Sequence, residues 1–199
     1  MLNTLALGLA VSAASATINP APLLSADQHI AFFDNLKPLC GKSFQGEVVN
    51  PSAEDGAFAT EKLVMHVREC SDNQIKIPFH VGNNASRTWI LTRTGSGITL
   101  KHDHRLENGK DDPVTMYGGM THDAGYAHAQ SFPADAFSKQ LFVNTGIPQS
   151  VGNTWHMYIY PDRFTYALTR EGRSFHVNFD LTKEVATPVT PWGYADLKD

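Results

Sequence analysis

The sequence predicts an all-β fold: a single antiparallel, up-and-down, calycin-like β-barrel of about ten strands with a short N-terminal helix and one helical insertion. Three observations point there. From Ser43 onward the apolar residues recur with a period of two. Tight-turn chemistry separates most of the runs, at Gly82-Asn83-Asn84, Gly95-Ser96-Gly97, Asn108-Gly109, Pro161-Asp162 and Glu171-Gly172. No solenoid repeat, low-complexity linker or second-domain boundary interrupts the 199 residues. A long antiparallel meander curls until no edge is exposed, and a barrel of about eight to ten strands has room for a small ligand. A two-sheet β-sandwich is the alternative.

The elements follow in order. The first sixteen residues carry no charged side chain, run through the apolar stretch Leu5 to Val11 and end in Ala14-Ser15-Ala16. That pattern fits a signal peptide over 1–16, leaving 17–199 as one barrel domain that is secreted or periplasmic. The apolar run is too short to span a bilayer, and no other segment is long enough, so no membrane span is expected. Ser25-Ala26-Asp27-Gln28 reads as a capping box opening a helix that carries Ile30, Phe33 and Leu36 on one side and stops before Pro38. Strands are expected at 43–49, 62–70, 74–81, 86–94, 98–105, 114–118, 128–132, 154–160, 164–170 and 174–181. Pro133-Ala134-Asp135 opens the helical insertion, which runs through Phe137 and Leu141 and ends near Gly146. The tail 186–199, with Pro188, Pro191, Trp192 and Tyr194, is expected to lie irregularly over the outside or an end of the barrel.

Two cysteines in an exported chain suggest one disulfide. A hairpin centred on Asp55 pairs residues whose numbers sum to about 110, which sets Cys40 opposite Cys70. The net charge of −4 comes without a basic run or an RNA-binding aromatic motif, so nucleic acid is not an expected partner. No oligomeric state is implied.

The blocks LCGKSF, FHVG, SRTWILTRT, KHDHR, TMYGG, SFPAD, FDL and PWGY together resemble a set of uncharacterised secreted bacterial proteins that share them. The resemblance covers most of the mature chain and implies export and a single domain. It supplies no activity. Lipocalins are a weaker comparison, because their Gly-x-Trp on the first strand is not matched by Gly41-Lys42-Ser43 or Phe44-Gln45-Gly46.

The most informative short stretch is Lys101-His102-Asp103-His104-Arg105. On a strand, His102 and His104 share the apolar face of Ile98 and Leu100, while Lys101, Asp103 and Arg105 point the other way. The Gly95-Ser96-Gly97 turn pairs residues summing to about 191, placing Trp89 beside His102 and Arg87 beside His104. His80 comes beside Arg87, or Val81 does if the register moves by one. Arg87, Trp89, His102, His104 and His80 are therefore the candidate ligand-binding residues. Buried polar groups of this kind need partners. They form either a structural hydrogen-bond network or an anion-binding pocket with Arg87 as the fork and the imidazoles as donors that strengthen below about pH 6.5. His102 and His104 are also the candidates for a zinc site, for which no third ligand is placed. Haem is a further possibility without a Cys-x-x-Cys-His attachment. No cofactor is expected.

"TMYGGMTHD", Thr115 to Asp123, has a glycine pair that marks either a bulge or close backbone approach, or else a flexible loop. No serine-hydrolase elbow, zinc-protease helix, phosphate loop or dinucleotide fingerprint is present. The sequence thus favours a barrel that binds a small, partly apolar, anionic ligand. The alternatives are an exported hydrolase or isomerase using the His and Arg patch, and a structural envelope protein. A cavity lined by Trp89 and the histidines favours binding, a His poised beside a carboxylate favours catalysis, and a filled interior favours structure.

Overall fold

Apart from the pairing of the first strand with the last, each strand finds its partners among its neighbours in sequence. The computed structural model describes residues 26–197, so the signal peptide expected over 1–16 lies outside the described residues. The strands are β1 (Ser43–Val48), β2 (Leu63–His66), β3 (Glu69–Cys70), β4 (Gln74–Val81), β5 (Asn84–Thr94), β6 (Gly97–His104), β7 (Tyr117–Met120), β8 (Ala129–Pro133), β9 (Thr154–Ile159), β10 (Arg163–Arg170) and β11 (Arg173–Glu184). Three helices accompany them, α1 (Asp27–Leu36), the single turn α2 (Ala57–Thr60) and α3 (Ala136–Asn144). The sheet order β7-β6-β5-β4-β2-β1-β11-β10-β9-β8 is a meander wrapped into a ring in which β1 pairs with β11. Only β3, bonded to β4, stands off the ring. The result is a nearly closed up-and-down barrel of ten strands, and not the two-sheet sandwich.

The ring meets itself at β7 and β8, and the Gly118-Gly119 pair is what permits the approach. Gly119 bridges to Ala134, and the Asp135 N–H donates to Gly118 O at 3.0 Å. A Cβ at Gly119 would lie 1.9 Å from Pro133 O, and one at Gly118 would lie 1.8 Å from Leu100 O. The glycine pair is therefore a close-approach device on a strand. That strand runs over 117–120, later than the predicted 114–118, because residues before Tyr117 fold back on β6: Met116 N–H donates to His102 O and Asp112 N–H to His104 O.

The predicted strand 62–70 is broken in two. After His66 the chain leaves the β1 ladder, Val67 exchanging bonds with Gly41 and Lys42 while Arg68 N–H turns to Lys76 O. The β1–β2 register is Ser43 with His66 and Phe44 with Met65, one short of the predicted pairing. The disulfide nevertheless joins Cys40 to Cys70, with Cα atoms 6.2 Å apart.

Helix α1 plugs one end. It starts after Ala26 without a side-chain cap from Ala26, and the capping box expected from Ser25 lies outside the described residues. Phe32, Phe33 and Leu36 are buried in the barrel core, whereas Ile30, expected on that face, is exposed. His29 Nε2 donates to Asp123 O and Asn35 donates to Ala127 O, tying α1 to the β7–β8 loop. Helix α3 opens as expected, with the Asp135 carboxylate accepting the Ser138 N–H at 2.8 Å. The tail after β11 crosses the outside of the barrel. Trp192 N–H donates to Ala85 O, the Tyr194 hydroxyl to Asp103, and Arg68 to the Ala195 carbonyl. No helix among the described residues is long and apolar enough to cross a membrane.

Candidate functional site

The β5–β6 hairpin has the register that its glycine turn implies, Arg87 opposite His104 and Trp89 opposite His102. All four line a cavity of about 230 Å³ at the end of the barrel remote from α1. Its walls are mostly rings, among them Phe58, Tyr117, Trp155 and Phe175. Its position follows from packing. Phe79 stacks on Trp89 at 4.7 Å and Trp89 on Tyr166 at 4.3 Å, a pile of rings that runs across the barrel and fills its middle. Offset ring stacks contribute about 0.5–1.5 kcal/mol each beyond the area they bury.

The deeper polar groups satisfy one another. His102 Nδ1 lies 3.2 Å from the Tyr117 carbonyl, which can only accept, so Nδ1 carries the proton. Nε2 is then an acceptor, and the Tyr166 hydroxyl, 2.8 Å away, donates to it. Trp89 hydrogen bonds to the same hydroxyl. Burial, followed by the neighbouring His104, pushes the His102 pKa down to about 3, so the ring stays neutral. His104 is held at about 4 by burial and by Arg87, and its Nε2 shares a 3.0 Å hydrogen bond with the Tyr117 hydroxyl. Burial raises Tyr117 to about 12. The expectation that acid turns both imidazoles into double donors near pH 6.5 is therefore corrected: they remain neutral well below that.

Two guanidiniums reach this end of the barrel, in different states. Arg173 lies 2.6 Å from the buried Asp55. Against the upward push of burial, the Ser52 N–H and Arg173 hold that carboxyl below its ordinary value. Arg87 is held by neutral acceptors instead. Its Nη1 donates to Asn84 Oδ1 at 2.9 Å and Ser86 Oγ at 3.3 Å, and its guanidinium carbon sits 5.2 Å from the Phe58 ring centroid. No carboxylate among the described residues lies within ion-pair distance of Arg87.

The chain matches no protein-family model, no curated protein and no solved structure. What the site can do is read from its own residues.

His80 is not part of the cavity. A bulge between Phe79 and Val81 sets Phe79 opposite Arg87, and His80 joins His66 on the outer face, both buried. The outward half of the Lys101–Arg105 stretch is a clasp. Asp103 accepts from Arg105 Nε at 2.8 Å and from the Tyr194 hydroxyl at 2.7 Å, and Lys101 pairs with Asp135 across the seam at 2.5 Å. Among the described residues no three His, Cys, Asp or Glu side chains are grouped to hold a metal ion. His102, with both nitrogens engaged, has no lone pair to offer one. Sequence reasoning missed Tyr166, Tyr117 and Arg173. Tyr166 alternates with Phe164 and Leu168 along its strand, a pattern that marks its face but not its partner.

Proposed function

We propose that this chain is a secreted or periplasmic β-barrel that binds a small, partly apolar, anionic molecule in the cavity beneath Arg87. The observation that carries this reading is the guanidinium of Arg87, set at an aromatic-lined cavity without an anionic partner among the described residues, while its neighbour Arg173 has one. A partly desolvated guanidinium is costly unless an anion completes it, and its planar fork matches a carboxylate bidentately. The Cys40–Cys70 disulfide and the uncharged apolar start of the chain support an oxidising, exported setting. The neutral state of both histidines supports binding over acid–base chemistry near neutral pH.

The test is a thermal-shift and calorimetric screen of small organic acids on the purified protein and on Arg87→Lys. The expected outcome is a stabilising acid whose affinity falls about tenfold in Arg87→Lys, because the charge is kept but the fork is lost. The affinity should also stay flat from pH 8 to 6, since neither histidine titrates there. A screen without a hit, together with an Arg87→Gln protein that only melts earlier, would leave the patch a structural network.

A further inference from the structure

The cavity selects more narrowly than "small anion", by charge, by shape and by size. Resting on the anion-binding reading above, we infer that its ligand is a planar, single-ring aromatic acid carrying one negative charge, with the carboxylate on Arg87 and the ring on the Phe79–Trp89–Tyr166 side.

Charge comes first. Arg173 is neutralised by Asp55, and His102 and His104 are uncharged, so Arg87 is the one net positive charge that the lining offers. One guanidinium balances one carboxylate. A dianion such as a phosphate monoester would bring a second charge into an aromatic enclosure with no cation to meet it. The polar atoms on the Trp89 side are already committed: Trp89 and Tyr166 to each other, Tyr166 to His102, His102 to the Tyr117 carbonyl, Tyr117 to His104. A ligand whose body lies on the Trp89 side thus meets ring faces and donors already in use, which suits an apolar body there, while Ser150 and Asn153 line another part of the cavity.

Shape and size follow. Eight of the lining side chains are Phe, Tyr or Trp, against three aliphatic ones, Val114, Ile147 and Leu168. Flat faces are filled best by a flat partner. A volume of about 230 Å³ corresponds to about eight waters at their share of liquid volume. That is the scale of one ring and a carboxylate, and below the roughly 300–1,000 Å³ of sites that hold drug-sized molecules.

The experiment titrates four probes into the intact protein: benzoate, cyclohexanecarboxylate, phenyl phosphate and octanoate. It reads heat and tryptophan fluorescence together. Trp89 and Trp155 line the cavity, and Trp192 lies on the tail outside it, so a ligand in the cavity quenches part of the emission and leaves a residue. Benzoate is expected to bind tightest. Cyclohexanecarboxylate, equal in charge but without a π face, should be about three- to tenfold weaker. Phenyl phosphate and octanoate should each be at least about tenfold weaker. Benzoate binding should disappear in Arg87→Gln and weaken about tenfold in Arg87→Lys, the second variant covering the event that the first does not fold. If octanoate or phenyl phosphate binds tightest and depends on Arg87, the anion cavity stands and the aromatic-acid inference falls. If no probe binds, or benzoate binds Arg87→Gln and Arg87→Lys as well as the parent, both fall.

Discussion

At the scale of single residues, the inside of the barrel depends on one imidazole that accepts as well as donates. His102 is fixed by the Tyr117 carbonyl on one nitrogen and by the Tyr166 hydroxyl on the other. Removing that hydroxyl leaves a buried acceptor unpaired, at a cost of about 1–3 kcal/mol. Tyr166→Phe should therefore lower stability in urea by about 2 kcal/mol although the ring stack on Trp89 is kept. A loss within error of zero would mean that His102 has found another donor. The patch of Arg87, Trp89, His102 and His104 was legible because strand alternation and one glycine turn fix it locally. Arg173 was not, since its partner Asp55 lies 118 positions away. The tail was foreseen to cover the barrel, but the Tyr194–Asp103 bond, spanning 91 positions, is set by where it lands. His80 was misplaced because the turn is the two-residue Gly82-Asn83, with Val81 opposite Asn84, tighter than the pairing expected; the alternation of Ile75, Ile77, Phe79 and Val81 sets His80 on the other face of its strand.

Among the elements, β7 is the one on which closure turns. Four residues long, it connects the two halves of the meander, and its glycines let the β6 and β8 backbones come close. A methyl group at position 119 meets a carbonyl oxygen of the backbone, which has no rotamer to escape into. Gly119→Ala should accordingly destabilise the protein by about 3 kcal/mol, in the upper part of the range for overpacking. Amide exchange should speed up first at Ala134 and Asp135, whose N–H groups bond at and beside this seam. Unchanged protection there would show that the seam does not need the glycine. Most strands lay within about two residues of where period and turn chemistry put them. The departures, 62–70 and 114–118, fall where the chain exchanges one set of backbone partners for another, a decision made by the opposing strand.

For the molecule as a whole, the buried histidines set a floor in pH. Folding holds His102 at about 3 against an ordinary 6.5, and His80 and His104 at about 4. Each binds its proton more tightly when unfolded, so the contribution is complete above pH 6.5 and is withdrawn as pH falls from there toward the folded values. At about 1.4 kcal/mol for each tenfold change in proton affinity, His102 alone should remove about 3 kcal/mol between pH 7.5 and 4.5. Urea denaturation at those two pH values measures it, and equal stabilities would show that the ring finds a place for its charge without unfolding. Closure of the barrel through β1 and β11 has a different consequence, one of time. The strand that begins the ring waits for the strand that ends it, so a chain emerging from its N-terminus carries β1 as an open edge until nearly all of its sequence has been made. The Cys40–Cys70 loop is complete long before that, and it gives the early chain a covalent hold on its first hairpin while the last strand is still to come.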